Sequence, residues 1–96
     1  LRALLGVIHE TGHARYEQGR PRAWLGQPVS QARSMAIHES QSLSFEMQLA
    51  RSRAFVGLLQ PMVVEAFGDQ PAFEVENFRR ILTRVERGFI RVDADE

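Results

Sequence analysis

The segment His9-Glu10-Thr11-Gly12-His13 contains the residues best suited to chemistry in this sequence. Two histidines four positions apart lie one above the other on one face of a helix, so both imidazoles can bind the same metal ion. Glu10 lies one position round the helix from His9, beside such an ion rather than on it. Its carboxylate can therefore accept a proton from a water molecule that the metal activates. The spacing predicts a hydrolytic metal site with His9 and His13 as ligands and Glu10 as general base.

A catalytic zinc ion usually has three protein ligands and one open position, so a third ligand must come from another part of the chain. The metzincin pattern would need glycine and histidine where Tyr16 and Gly19 stand, which excludes that class. Glu17 lies two helical turns from His9, about 12 Å along the axis, and is too far away to share one ion with both histidines. The option that stays open is a carboxylate from the second predicted helix, and the candidates there are Glu39, Glu46 and Glu65.

Glu39 belongs to a second polar cluster, His38-Glu39-Ser40-Gln41, which has apolar residues on both sides. Polar groups in a buried helix need hydrogen-bonding or metal partners. A metal ligand and the groups that orient it would supply them, although an exposed helix face would also explain the pattern. The three histidines of the chain all lie in these two clusters.

The elements that must position these clusters are helices. Apolar periodicity predicts an all-α chain with three principal helices, over residues 2–18, 31–60 and 74–87. We expect Gly19 and Gly88 to end the first and third helices, Ser30 to cap the second, and Pro61 to kink or end it, with a further helical turn or two over residues 62–67.

Two connecting segments carry further expectations. In the loop over residues 20–30, Trp24 and Leu25 are expected to pack against the core. Residues 89–93 are expected to be extended or to form a short strand.

Composition narrows the class of protein. Twelve arginines balance twelve acidic residues in 96 residues, so no net field favours nucleic acid or an anionic membrane. Cysteine is absent, which excludes thiolate nucleophiles and cysteine-ligated zinc. No apolar run approaches the roughly 20 residues that cross a bilayer. A start without methionine that already has a helical pattern suggests a fragment of a longer chain.

Three ordered motifs resemble those of one known family. The segments HETGHARYEQG (9–19), IHESQS (37–42) and IRVDAD (90–95) resemble the H-E-x-x-H, H-E-S-Q and I-R-x-x-A-D motifs of the carboxypeptidase Taq family of metallocarboxypeptidases. The resemblance covers essentially the whole sequence. The family's H-P-F, D-x-R-x-T and G-x-x-Q-D-x-H-W motifs are absent, so the sequence corresponds to a minor part of a family member.

The resemblance implies a larger, helical, zincin-type peptidase that removes single residues from peptides with a free C-terminus. It implies zinc, or alternatively cobalt, held by His9, His13 and Glu39, with Glu10 as general base. His38, Gln41 and Arg91 are implied as residues that contact the ligands or the substrate. Members of the family are typically cytoplasmic and often homodimeric.

Several alternatives stay open at this point. Arg91 could instead form a structural ion pair with Asp93 or Asp95. The chain could be a non-catalytic helical fragment or interaction module that keeps the motif without a complete site. A zincin endopeptidase is a third possibility. Even if the chain is part of a carboxypeptidase of this family, the 96 residues alone are expected to be inactive, because they lack the parts that would hold the substrate.

Overall fold

The computed structural model describes residues 1–87, and within this range the chain is all-α, as predicted. The four α-helices are α1 (Arg2–Gln18), α2 (Met35–Leu43), α3 (Arg53–Phe67) and α4 (Val75–Leu82). A π-helix, Ser44–Leu49, continues directly from α2. Short 3₁₀ turns lie at Arg22–Trp24, Pro28–Ser30 and Pro71–Phe73. The expected end at Gly88, the extended segment 89–93 and Arg91 lie outside the described residues.

The predicted helix over 31–60 is wrong, because two serines start separate helices within it. The hydroxyl of Ser34 accepts a hydrogen bond from the Ala36 N–H and caps α2, whereas the Ser30 hydroxyl donates to the Gln27 carbonyl in a turn. Ser52 has an extended backbone and accepts from the Phe55 N–H, which starts α3. Serine favours such caps because its side chain replaces a missing backbone partner at the helix start.

Pro61 does not end the helix in which it lies, since α3 continues to Phe67. A proline in a helix removes the hydrogen bond to the carbonyl four residues earlier. That residue is the exposed Gly57, whose carbonyl can reach water instead. The helix stops at Gly68, whose φ of 81° is a left-handed conformation that favours glycine.

The predicted third helix over 74–87 is also too long. Glu74 caps α4 by accepting from the N–H groups of Glu76 and Asn77, but the helix ends at Leu82. The Thr83 hydroxyl donates to the Arg79 carbonyl there. Residues 84–87 are exposed, so a further turn would bury no apolar surface to stabilise it.

The apolar core lies where α3 packs against α4. Val56 and Val63 of α3 contact Phe78 and Leu82 of α4, and Phe73 meets Phe78 edge to face with ring centroids 5.8 Å apart. Leu4 and Leu5, near the start of α1, pack on the same cluster. The second half of α1 packs instead on α2 and the π-helix.

The chain is slab-shaped, with extents of 52 × 33 × 19 Å, and several of its large apolar side chains are exposed. Trp24 and Leu25 are 51% and 84% exposed, and the expectation that they pack on the core is wrong. Both residues lie in the connecting segment with its short 3₁₀ turns rather than on the α-helices that form the core. In the part that the structure describes, no helix is both long and apolar enough to cross a membrane.

Candidate metal centre

A close backbone contact between α1 and α2 builds the centre. Gly12 is buried, and a Cβ atom placed on it would lie 2.5 Å from the Ser42 Cα and 2.8 Å from the Gln41 carbonyl oxygen. Only glycine permits such an approach. Ser42 is buried on the other side of the contact. Since Glu39 lies one turn before Ser42 on α2, the contact brings its carboxylate opposite the histidines of α1.

His9, His13 and Glu39 come together at this contact, and one ligand atom from each lies within 4.8 Å of the others. The His9 Nε2 is 3.4 Å from one Glu39 oxygen, and the His13 Nε2 is 3.3 Å from the other. The two imidazole rings have centroids 5.0 Å apart. Of the three carboxylates that the sequence left open as third ligand, the structure brings Glu39 into this group.

The chemistry of this group fits a small metal ion. The Glu39 carboxylate faces both histidines, with one oxygen 3.4 Å from the His9 Nε2 and the other 3.3 Å from the His13 Nε2. With one ligand atom taken from each residue, the three atoms lie within 4.8 Å of one another, close enough to surround one ion with bonds of about 2.0–2.2 Å. The side chains of His9 and His13 are each 20% exposed and that of Glu39 is 41% exposed, so one side of the group is open. Two imidazoles and one carboxylate are a usual ligand set for catalytic zinc.

Glu46 contacts the other nitrogen of His9. Its Oε2 lies 2.8 Å from the His9 Nδ1, and its Oε1 lies 3.7 Å from an Arg51 nitrogen. When Nδ1 carries the imidazole proton and donates to this carboxylate, the lone pair of Nε2 is directed towards the Glu39 side. Glu46 is therefore placed to orient the His9 ring, and it lies outside the group formed by His9, His13 and Glu39.

A longer chain of polar contacts reaches His13. Its Nδ1 is within hydrogen-bonding distance of the His38 Nδ1, and the His38 Nε2 lies 2.9 Å from the Glu17 Oε1. The other Glu17 oxygen is 2.6 Å from an Arg20 nitrogen. The Tyr16 ring packs beside His38 with centroids 4.6 Å apart.

The remaining predicted site residues are less closely involved. Glu10 lies on α1 next to His9, and its side chain is exposed. Gln41 is exposed and contributes its backbone carbonyl to the contact at Gly12. Glu65 is exposed on α3 and lies outside the metal-ligand group. Arg91 lies outside the described residues.

The sequence interpretation missed the contacts of Glu17 with His38 and of Glu46 with His9, because it considered both carboxylates only as possible metal ligands. A signal was present for each. Glu17 follows His13 by four residues on α1, and Glu46 follows Glu39 by seven residues along the helical path of α2 and the π-helix. Positions four or seven apart share one helix face, so Glu17 is expected on the face of His13 and Glu46 on that of Glu39.

Comparison with known proteins gives consistent matches along the chain. The family described as carboxypeptidase Taq (M32) metallopeptidase matches residues 1–96. Thermostable carboxypeptidase 1 of Thermus thermophilus is 40% identical over 97% of this chain and 18% of its own length. Carboxypeptidase 1 of Bacillus subtilis is 40% identical over 98% of this chain and 19% of its own.

A solved structure has the same fold. Metallocarboxypeptidase 1 of Trypanosoma cruzi superposes with a TM-score of 0.86 and 58% sequence identity, covering 97% of this chain and 19% of that one. The chain therefore spans about a fifth of the length of each of these relatives.

Proposed function

Because the chain belongs to the carboxypeptidase Taq (M32) family of metallopeptidases, we propose that it forms the metal-binding and catalytic segment of a zinc-dependent carboxypeptidase. The proposed reaction is the release of C-terminal amino acids from peptides. The observation that carries the proposal is the group formed by His9, His13 and Glu39, whose ligand atoms lie within 4.8 Å of one another.

The metal ligands in this proposal are the Nε2 atoms of the two histidines and the carboxylate of Glu39. The proposal of a small ion bound by nitrogen and oxygen is supported by the ligand types and by the grouping of one atom from each residue within 4.8 Å. Zinc is the proposed ion, and cobalt is an alternative that accepts the same ligands. When bound, such a metal polarises the substrate carbonyl and makes water more acidic.

Glu10 is the proposed general base. Its carboxylate accepts a proton from the attacking water and passes it to the amine that leaves when the peptide bond breaks. Its exposed position next to His9 supports this role, because the group needs access to both water and substrate. The open side of the site gives the substrate carbonyl a route to the ligands.

His38, Gln41 and Arg91 complete the proposed site as residues around the ligands or the substrate. The support for His38 is its contact with the Nδ1 of His13. The proposals for Gln41 and Arg91, and those of a homodimer and a cytoplasmic location, rest on the family resemblance. Size-exclusion chromatography with light scattering measures the oligomeric state directly.

A pair of peptides tests the reaction. By the intact protein we mean the whole peptidase of which this chain is the proposed segment. It is loaded with zinc or cobalt and incubated with a peptide that has a free C-terminal carboxylate and with its C-terminally amidated twin. We expect stepwise release of residues from the first peptide and no release from the second. Cleavage of both peptides would indicate an endopeptidase. If the metal-loaded protein cleaves neither peptide, the result favours the alternative that the chain is a non-catalytic helical module.

The metal ligands can be tested independently of turnover. Anomalous X-ray scattering at the zinc edge, from crystals of the zinc-loaded protein, should give a peak between His9, His13 and Glu39. A peak elsewhere would contradict the assignment of these ligands even if the protein cleaved peptides.

The 96-residue chain by itself is predicted to be helical but without appreciable peptidase activity. Catalysis also needs a substrate held in register and donors for the developing oxyanion, and three ligands and a base do not supply these. The chain exposes large apolar side chains such as Leu58 (73%) and Met62 (65%), which favours self-association. Release of amino acids from a peptide in the presence of added zinc tests the first prediction, the lack of activity. Light scattering tests the second, self-association. Robust turnover by a monomer would refute both.

A further inference from the structure

The two histidines of the proposed metal site have different surroundings on their second ring nitrogens. The Nδ1 of His9 lies directly against a carboxylate, that of Glu46. The Nδ1 of His13 instead lies against another imidazole, that of His38, whose far nitrogen is 2.9 Å from Glu17. The proposed metal chemistry uses neither His38 nor Glu17 as a ligand, yet the two link a carboxylate to His13.

We propose that Glu17 and His38 are positioning residues that fix the proton of His13 on Nδ1 and so leave its Nε2 free to bind the metal. The proposal rests on the function proposed above. Each neutral imidazole has one donor and one acceptor nitrogen, so the order of the contacts sets the position of every proton.

The order starts at Glu17, which when ionised can only accept hydrogen bonds. The His38 Nε2 must then donate to it, which leaves the His38 Nδ1 as an acceptor. The His13 Nδ1 donates to that acceptor, and the lone pair of the His13 Nε2 is directed to Glu39, 3.3 Å away. In the reverse order the proton would lie on Nε2 of His13 and block the metal.

Two further contacts hold this chain of hydrogen bonds in place. Arg20 lies 2.6 Å from the second oxygen of Glu17 and fixes the direction of its carboxylate. Tyr16 packs against the His38 ring, whose side chain is 13% exposed, and limits its rotation. Glu46 and Arg51 form the corresponding pair beside His9. Each ligand histidine is therefore oriented by a carboxylate that also contacts an arginine, His9 directly and His13 through His38.

Zinc affinity of the intact protein, measured by competition with a chelator, tests the proposal. Replacing an outer partner of a metal-bound histidine typically lowers metal affinity 10–100-fold. We expect about a 10-fold loss for Glu17→Gln, which keeps the shape but removes the charge, and a loss of about 10–100-fold for His38→Ala. Glu17→Asp, which keeps the charge, should bind zinc more tightly than Glu17→Gln. Glu65→Gln is the matched control, since it makes the same change at an exposed position on α3 and should leave the affinity unchanged.

A double mutant separates positioning through His38 from a general effect on the fold. If Glu17 acts through His38, Glu17→Gln should cause no further loss in the His38→Ala background. The ¹⁵N NMR signals of the zinc-loaded protein should identify His13 as protonated on Nδ1, and the signals of His13 and His38 should shift in Glu17→Gln. Additive losses, or equal affinities of Glu17→Gln and Glu17→Asp, would overturn the proposal.

Failure of this inference is distinguishable from failure of the proposed function. A parent protein that binds zinc and releases C-terminal residues, but whose Glu17→Gln variant binds zinc equally well, overturns only the role of Glu17 and His38. A parent protein that binds no zinc overturns both.

Discussion

Two regions of this chain are held together by different kinds of contact. We define the polar seam as the contact of Gly12, His9 and His13 on α1 with Glu39 and Ser42 on α2. The apolar cluster is the contact between α3 and α4. Its members are Val56, Val63, Phe78 and Leu82. Phe78 and Val56 are fully buried, whereas the histidine and glutamate side chains of the seam are 20–41% exposed.

The difference indicates that the cluster mainly stabilises the fold and the seam mainly fixes geometry. Burial of apolar surface is favourable in any orientation, at about 25 cal/mol per Å². Partly exposed polar contacts contribute little to stability, only about 0–1 kcal/mol even for an ion pair, whereas the close backbone approach at Gly12 holds the histidines of α1 in one arrangement opposite Glu39. The seam therefore adds little stability for the number of polar groups that it orders. We expect mutations in the two regions to separate stability from metal binding and turnover.

The largest effect is expected where neither region is disturbed. Glu10→Gln in the intact protein should keep the metal and the fold but lose at least 10²–10⁴-fold in kcat, because glutamine has a similar shape and cannot accept the proton. Zinc content by elemental analysis and steady-state kinetics measure the two properties together. A zinc-replete variant with kcat near that of the parent would rule out Glu10 as the general base.

The next largest effect is on zinc affinity, and it distinguishes the proposed ligand Glu39 from the two carboxylates near it. Glu39→Ala should lower zinc affinity more than 100-fold, whereas Glu46→Ala and Glu17→Ala should each lower it about 10–100-fold, the usual range for residues that orient a ligand. Calorimetric titration of the three variants with zinc measures this order. Equal affinities would mean that the third ligand has been assigned to the wrong residue.

The sequence was sufficient to predict the two clusters that meet in the seam, because each is a local pattern on one helix. The H-E-x-x-H spacing identifies the face of α1 that carries the two histidines, and the H-E-S-Q segment identifies the polar part of α2. The all-α class follows equally from local periodicity. What the residues alone left open was which carboxylate faces His9 and His13, since that depends on how two helices pack.

Gly12 explains why that packing was hard to predict. A glycine within a helix usually weakens it, and nothing in the sequence indicates that this one contacts the backbone of Ser42. The errors in helix length have a similar origin. Ser34 and Ser52 are caps only because their backbones are extended in the folded chain. Neither serine has a glycine or a proline beside it, so the sequence gives no sign that a helix is interrupted there.

Within the apolar cluster, Leu82→Ala should lower the free energy of unfolding by about 2–5 kcal/mol, because it removes a buried side chain and leaves a cavity. Leu82 is 4% exposed. Zinc affinity of the folded protein should change little, since the seam is built on other elements. Ile81→Ala, one residue earlier on the same helix and 41% exposed, is the control and should cost much less. Urea unfolding of the two variants measures the difference. A large loss of zinc affinity in folded Leu82→Ala would show that the two regions are not separable.

The substitution with the smallest change in volume should affect both the stability of the fold and metal binding. Gly12→Ala adds a single methyl group, which would lie 2.5 Å from the Ser42 Cα and 2.8 Å from the Gln41 carbonyl oxygen. Both neighbours are backbone atoms, so α2 must move away by about 1 Å to restore ordinary contact, at a cost of about 1–3 kcal/mol. Alanine regains up to about 1 kcal/mol as a better helix former, so the net loss of stability should be small.

Metal binding should be more sensitive than stability to this displacement. A metal site tolerates shifts of only about 0.5 Å, and Glu39 moves with α2, so zinc affinity should fall at least about 10-fold. Gly6→Ala is the matched control on the same helix, because its added Cβ would have no atom within 4 Å. That variant should be slightly stabilised and bind zinc as the parent does. Thermal unfolding and zinc titration of the two variants measure both quantities, and a Gly12→Ala protein that binds zinc as tightly as Gly6→Ala would contradict the assignment of the backbone contact as the feature that positions Glu39.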